Sequence, residues 1–140
     1  MKQPSYITYE SIRVGDRAEL SVSLSESQVD AFSALIGDTE SFHVSEAAAA
    51  QTVFGRRICH GVHLLAYISV LIGQKLPGFG TIYCSHTFTF HNPVYLGQAI
   101  RVSVEVLEKL PGRRLRLDTA IIREDGKTVL TGQAVVKTYR

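Results

Sequence analysis

The sequence predicts an α+β fold in which one buried helix is enclosed by a curved antiparallel sheet. Two observations carry this. The stretch 58–74, ICHGVHLLAYISVLIGQ, is apolar on nearly every face between Val62 and Ile72, with only His63, Tyr67 and Ser69 interrupting. Those roughly 11 residues fall short of the ~20 needed to cross a bilayer, and a helix that is apolar all round has to be buried inside something. The second observation is that the chain beyond it reads as several strand-like segments, enough to wrap around the helix.

Each element has its own local signal. Residues 17–24, RAELSVSL, alternate as a first strand. Ser25 then opens a helix as N-cap, with Gln28 where a capping box requires it. Val29, Phe32, Leu35 and Ile36 make an apolar stripe at helical spacing, and Gly37 ends the helix where a left-handed residue costs least. Ser45 caps a short helix, EAAAAQ, and a loop over 52–57 containing Gly55 leads to the buried helix, which Gly73 and Pro77-Gly78 terminate. In the segment 81–91, Ile82, Cys84, His86, Phe88 and Phe90 fall on one face. Asn92, Pro93 and Gly97 bound a loop, and Ile100, Val102, Val104 and Val106 share a face of the next strand. Pro111-Gly112 marks a turn before Leu115, Leu117, Thr119 and Ile121. Asp125-Gly126 is a hairpin signal, and a last strand runs from about Thr128 to Tyr139.

The bulk numbers exclude several classes. A chain of 140 residues is one domain by size, read here as spanning 1–140. A net charge of +2 with interspersed signs leaves no stripe for nucleic acid or a membrane surface. Arg113, Arg114 and Arg116 form the densest basic patch, either the solvated face of a hairpin or an anchor for a phosphate-bearing cofactor. The first 16 residues have no apolar core for a signal peptide, and Cys59 and Cys84 sit in no paired motif. A cytoplasmic protein with two buried thiols is the reading that follows.

Chemistry concentrates in two places. Asp38 and His43 share the loop GDTESFH just past a helix end, and a carboxylate with an imidazole can together hold and activate a water. The alternative is that Asp38 only caps the loop and His43 is a surface residue. Cys59-His60-Gly61 opens the buried helix, where free backbone N–H groups attract negative charge and a glycine admits close approach. Such a site could stabilise a thioester carbonyl becoming an enolate, or the glycine could serve packing alone. Ser69 lies within the apolar helix, where its hydroxyl could bond back to the preceding turn. Cys59, His60 and His63 match no fixed zinc spacing, so no metal site is assigned, and His86 and His91 read as structural.

In combination these motifs resemble the R-specific enoyl-CoA hydratases of the MaoC-like, hot-dog-fold group, including those that feed polyhydroxyalkanoate synthesis. The resemblance covers nearly the whole chain. It rests on the Gly-Asp loop with a histidine five residues after the aspartate, the His-Gly at the helix start, the Leu-Pro-Gly segment and the Phe…Pro-Val…Gly segment, in that order. It implies a hot-dog fold, a long central helix wrapped by a curved antiparallel sheet, that forms a homodimer with the CoA arm along the interface. It implies Asp38 and His43 as the catalytic pair and Gly61, Ser69 and His60 as substrate-binding residues. No metal or redox cofactor is needed. The substrate implied is an acyl-CoA thioester, or its acyl-carrier-protein counterpart.

The chain departs from that family where Glu40-Ser41 stands in place of the usual Asn-Pro, and Gly97-Gln98 in place of Gly-Asp. Loss of the proline is expected to loosen the loop, and Glu40 would raise the pKa of Asp38 and His43 if it pointed inward. Three alternatives stand beside the hydratase. A 3-hydroxyacyl-carrier-protein dehydratase would run the same pair in reverse. A non-catalytic acyl-CoA-binding protein would be a decayed version. A thioesterase is disfavoured because residues 60–74 contain no carboxylate.

Overall fold

The structure is a computed structural model that describes residues 7–139; the first six residues, part of the segment read as lacking a signal, lie outside them. A one-turn 3-10 helix at Tyr9–Ser11 leads into strand β1 (Arg17–Ser23), helices α1 (Glu26–Ile36), α2 (Glu46–Ala50) and α3 (Gly61–Gln74), then strands β2 (Thr81–Phe90), β3 (Ala99–Leu110), β4 (Arg114–Arg123) and β5 (Thr128–Thr138). The strands form one antiparallel sheet in the order β1-β3-β4-β5-β2. Helix α3 packs across β3 and β2. The core lies between them, from Leu64, Ile68, Leu71 and Ile72 on the helix to Val102, Val104, Leu115, Leu117, Ile121 and Val136 on the sheet.

Local chemistry sets the element ends as the sequence predicts. Ser25 and Gln28 complete the capping box reciprocally, and Gly37 closes α1 in the left-handed region at φ 80°. Ser45 accepts the N–H of Ala48 to cap α2. Such caps are each worth about 1 kcal/mol. In the β4–β5 turn Gly126 is left-handed at φ 85°, and its N–H donates to the Arg123 carbonyl, as a type I turn followed by a glycine requires.

Four expectations need correction. On α1 the buried residues are Val29 and Ser33, while Leu35 is 82% and Ile36 52% exposed. Leu35 points away because six residues at about 100° each carry it about 120° round from Val29, off the buried face, and Ile36 lies in the last turn of the helix. Gly73 does not end α3, which continues to Gln74. On β2 a bulge between Tyr83 and Ser85 inserts an extra residue and reverses the alternation. Tyr83, His86 and Phe88 therefore turn inward, whereas Ile82 and Cys84 are exposed. Finally, α3 is buried on one side only: Val62, Ala66, Ser69 and Val70 are exposed, because one five-stranded sheet covers a single face of a helix.

Candidate functional site

The site forms where the loop after α1 meets the N-terminus of α3. Asp38 follows the left-handed Gly37, and its N–H donates to the Ser33 carbonyl at 2.9 Å, so its position is dictated by the helix end. Its carboxylate is enclosed by donors. Ser41 Oγ donates to Oδ2 at 2.6 Å, Ser41 N–H to Oδ1 at 3.3 Å, and His60 Nε2 to Oδ2 at 2.7 Å. The Ser41 hydroxyl, and after it His60, hold the Asp38 carboxyl down at about 2. Asp38 is thus an anion at neutral pH, and His60, facing an obligate acceptor, carries its proton on Nε2.

His43 is fixed from three directions. Its Nδ1 lies 2.8 Å from the Ile58 carbonyl, which can only accept, so Nδ1 bears the hydrogen. Its ring stacks on that of His60 with centroids 3.9 Å apart. Its own carbonyl receives Arg57 Nε at 2.7 Å. Burial, and secondarily the neighbouring His60, push the His43 pKa below the ordinary histidine value. The imidazole is therefore neutral at pH 7 with its lone pair on Nε2, which is the form a proton acceptor needs.

Asp38 and His43 do not bond one another directly. They are joined through the Ser41 hydroxyl, which also accepts the His43 N–H at 3.1 Å, and through the His60 ring. In place of a proline ring, Ser41 supplies bonds of its own to this loop through its hydroxyl and its N–H. Glu40 is exposed and contributes to neither the Asp38 nor the His43 shift.

Beside this cluster opens a largely apolar cavity of about 450 Å³. His43, His60 and Gly61 form its polar end, and Phe54, Leu64, Phe90 and Val129 are among its apolar walls. Asp38 stands behind His60, outside the lining. Gly61 is the first residue of α3, and its N–H is one of the helix-end donors without an intrahelical partner. A Cβ on Gly61 would come within 2.6 Å of the Phe90 ring, so the glycine also serves close packing. Ser69 is on the exposed face of α3 and does not reach the cavity within the chain. Cys59 is buried and lines the cavity, and burial pushes its thiol up to about 11, which leaves it un-ionised; Cys84 is exposed, not buried as expected.

The matching region of known sequence is equally extensive. Residues 11–127 match the family described as MaoC like domain. The chain belongs to that family. Among MaoC-like relatives, it is 39% identical to the 3-hydroxybutyryl-CoA dehydratase of Methylorubrum extorquens, over 92% of this chain and 82% of the relative. It is likewise 39% identical to the (R)-specific enoyl-CoA hydratase of Aeromonas caviae, over 91% of this chain and 96% of the relative. Among solved MaoC-like structures, the unliganded R-hydratase PhaJ1 of Pseudomonas aeruginosa superposes with a TM-score of 0.88 at 41% identity, covering 95% of this chain and 86% of that one. The hot-dog fold is shared with it.

Two residues that hydrogen-bond the loop, Arg57 and Ser41, and one wall residue, His91, escaped the sequence reading. Arg57 is 4% exposed and spans from the His43 carbonyl to Glu26 and Asp30 on α1. The signal was present: two carboxylates four apart on one helix face call for a cation. Ser41 was visible only as a missing proline. His91, read as structural, bonds Thr131 Oγ1 at 2.7 Å yet also lines the cavity.

Proposed function

We propose that the chain is an (R)-specific enoyl-CoA hydratase, adding water reversibly and syn to a trans-2-enoyl-CoA to give the (R)-3-hydroxyacyl-CoA. The observation that carries this is the neutral His43 imidazole sharing one apolar cavity with the free N-terminus of α3. His43 Nε2 takes a proton from water as the water oxygen bonds to C3. The electron pair of the C2–C3 double bond moves toward the thioester, whose oxygen gains negative charge and is received by the Gly61 N–H. A proton returns to C2 on the same face, so water is consumed and nothing else is released. Asp38, as an anion, holds the protonated Nε2 edge of His60, against which the His43 ring is stacked, and offsets positive charge as His43 becomes an imidazolium.

The proposed assembly is a homodimer. Strand β2 is an edge strand, and α3 beside it leaves Val62 55% and Val70 41% exposed. A second copy on this face would bury both and give the long pantetheine arm a route along the interface, where Ser69 could meet it. Residues 1–140 are read as one such hydratase domain, cytoplasmic in location; no helix among the described residues is long and apolar enough to cross a membrane.

Purified protein mixed with crotonyl-CoA should bleach the conjugated-enone absorbance and give (R)-3-hydroxybutyryl-CoA by chiral analysis. Asp38→Ala and His43→Ala should each lower that rate by about 10²–10⁴-fold while circular dichroism stays unchanged. Near-normal turnover in either variant would sink the mechanism. Activity restricted to carrier-protein thioesters would assign the dehydratase alternative, and binding without turnover on both would assign a non-catalytic acyl-CoA-binding protein.

A further inference from the structure

The Ser41 side chain takes no part in the proposed proton transfers. Its hydroxyl nevertheless touches both members of the proposed pair: it donates to Asp38 Oδ2 at 2.6 Å and accepts the backbone N–H of His43 at 3.1 Å. Its own N–H reaches Asp38 Oδ1 at 3.3 Å, and its carbonyl receives the N–H groups of Val44 and Ser45, each at 3.0 Å. A proline could supply neither the hydroxyl nor the N–H. Three of these five hydrogen bonds use the hydroxyl or the N–H; the other two fall on the backbone carbonyl, which any residue would offer.

We propose that Ser41 is a positioning residue, whose single hydroxyl locks the Asp38 carboxylate onto His60 and fixes the backbone from which His43 reaches the cavity. The inference rests on the hydratase reading for its kinetic consequence, though not for its geometry. Oδ2 of Asp38 has two donors, the Ser41 hydroxyl and His60 Nε2. With the hydroxyl removed, Oδ2 keeps only His60 and Oδ1 only the longer 3.3 Å bond from the Ser41 N–H, so the carboxylate is held less tightly in its plane. A bond from a hydroxyl to a carboxylate is among the stronger neutral-to-ion contacts, so its loss is felt at the anion. The ionisable groups facing Asp38 are His60, from the residue before α3, and His43, stacked beyond it; Glu40 in the same loop is exposed. Arg57 grips the His43 carbonyl from the other side, so the segment from Ser41 to His43 is held at both ends.

The test compares Ser41→Ala, which deletes the hydroxyl, with Ser41→Thr, which keeps it. Two readouts are taken: steady-state kinetics on crotonyl-CoA, and carboxyl ¹³C NMR titration of Asp38. In Ser41→Ala, kcat should fall about tenfold or more with KM within about twofold, and Asp38 should titrate about one pH unit higher or more. Ser41→Thr should restore both. An unchanged Asp38 titration in Ser41→Ala, an unchanged kcat, or a threonine variant as impaired as the alanine one would each overturn the proposal. A wild-type protein inactive on crotonyl-CoA and on a longer enoyl-CoA would overturn the hydratase reading instead. In that case the Asp38 titration, which needs no turnover, still decides whether the hydroxyl governs the carboxylate.

Discussion

A single carbonyl, that of Ile58, decides which nitrogen of His43 is basic. Because a carbonyl cannot donate, Nδ1 must, and the lone pair is left on Nε2. Burial then lowers the His43 pKa beneath its ordinary value of about 6.5. A base is competent above its pKa, so kcat/KM should rise with pH through an inflection below about 6.5 and be flat by neutrality. A pH–rate profile on crotonyl-CoA checks this; an inflection above 7 would show that the group titrating is not a buried, neutral His43. At this scale the sequence was legible as residue types and spacing. Asp38 and His43 were found by their separation within one loop. Their relation was not, because the ring that links Asp38 to the His43 ring is that of His60, which lies 22 positions from Asp38 in sequence.

Among elements, those whose ends are set by neighbouring residues were read correctly, and those whose faces depend on distant ones were not. The α1 capping box is a dialogue between Ser25 and Gln28, three residues apart. The β2 bulge depends on how Tyr83 to Ser85 pair with Val135 and Val136, and nothing local announces it. The bulge brings His86 inward to bond Thr119 Oγ1 at 2.7 Å and places Phe88 opposite Gly132. A Cβ at Gly132 would sit 2.5 Å from the Thr87 carbonyl oxygen and 2.8 Å from Phe88 Cβ. Backbone cannot yield as a flexible side-chain tip can, so Gly132→Ala should destabilise the fold by about 1–3 kcal/mol. Urea unfolding measures it; an unchanged midpoint would mean that β2 and β5 can separate freely at that pair.

For the molecule as a whole, the unfinished business is the uncovered side of α3. An exposed edge strand beside an exposed apolar helix face is a surface that natural proteins seldom leave to water. The proposed partner copy there would account for the all-round apolarity of residues 62–72, which the five strands of one chain leave half explained. Sedimentation should give two chains per particle, and Val70→Glu, which places a charge on that face, should shift the protein toward one. A wild-type protein sedimenting as a single chain at micromolar concentration would remove the dimer from the proposal.

The sequence by itself determined the order of elements, the caps and turns, the inward faces of β3 and β4, and the loop that carries the proposed pair, Asp38 and His43. These are properties of residues near one another along the chain, where helical and strand periods act directly. Only the tertiary structure decided that Asp38 pairs with His60, that Arg57 braces the His43 loop against α1, and that α3 keeps an open face. Each of those depends on which segments meet in space, and hydrogen bonds and burial are fixed by that meeting rather than by residue spacing.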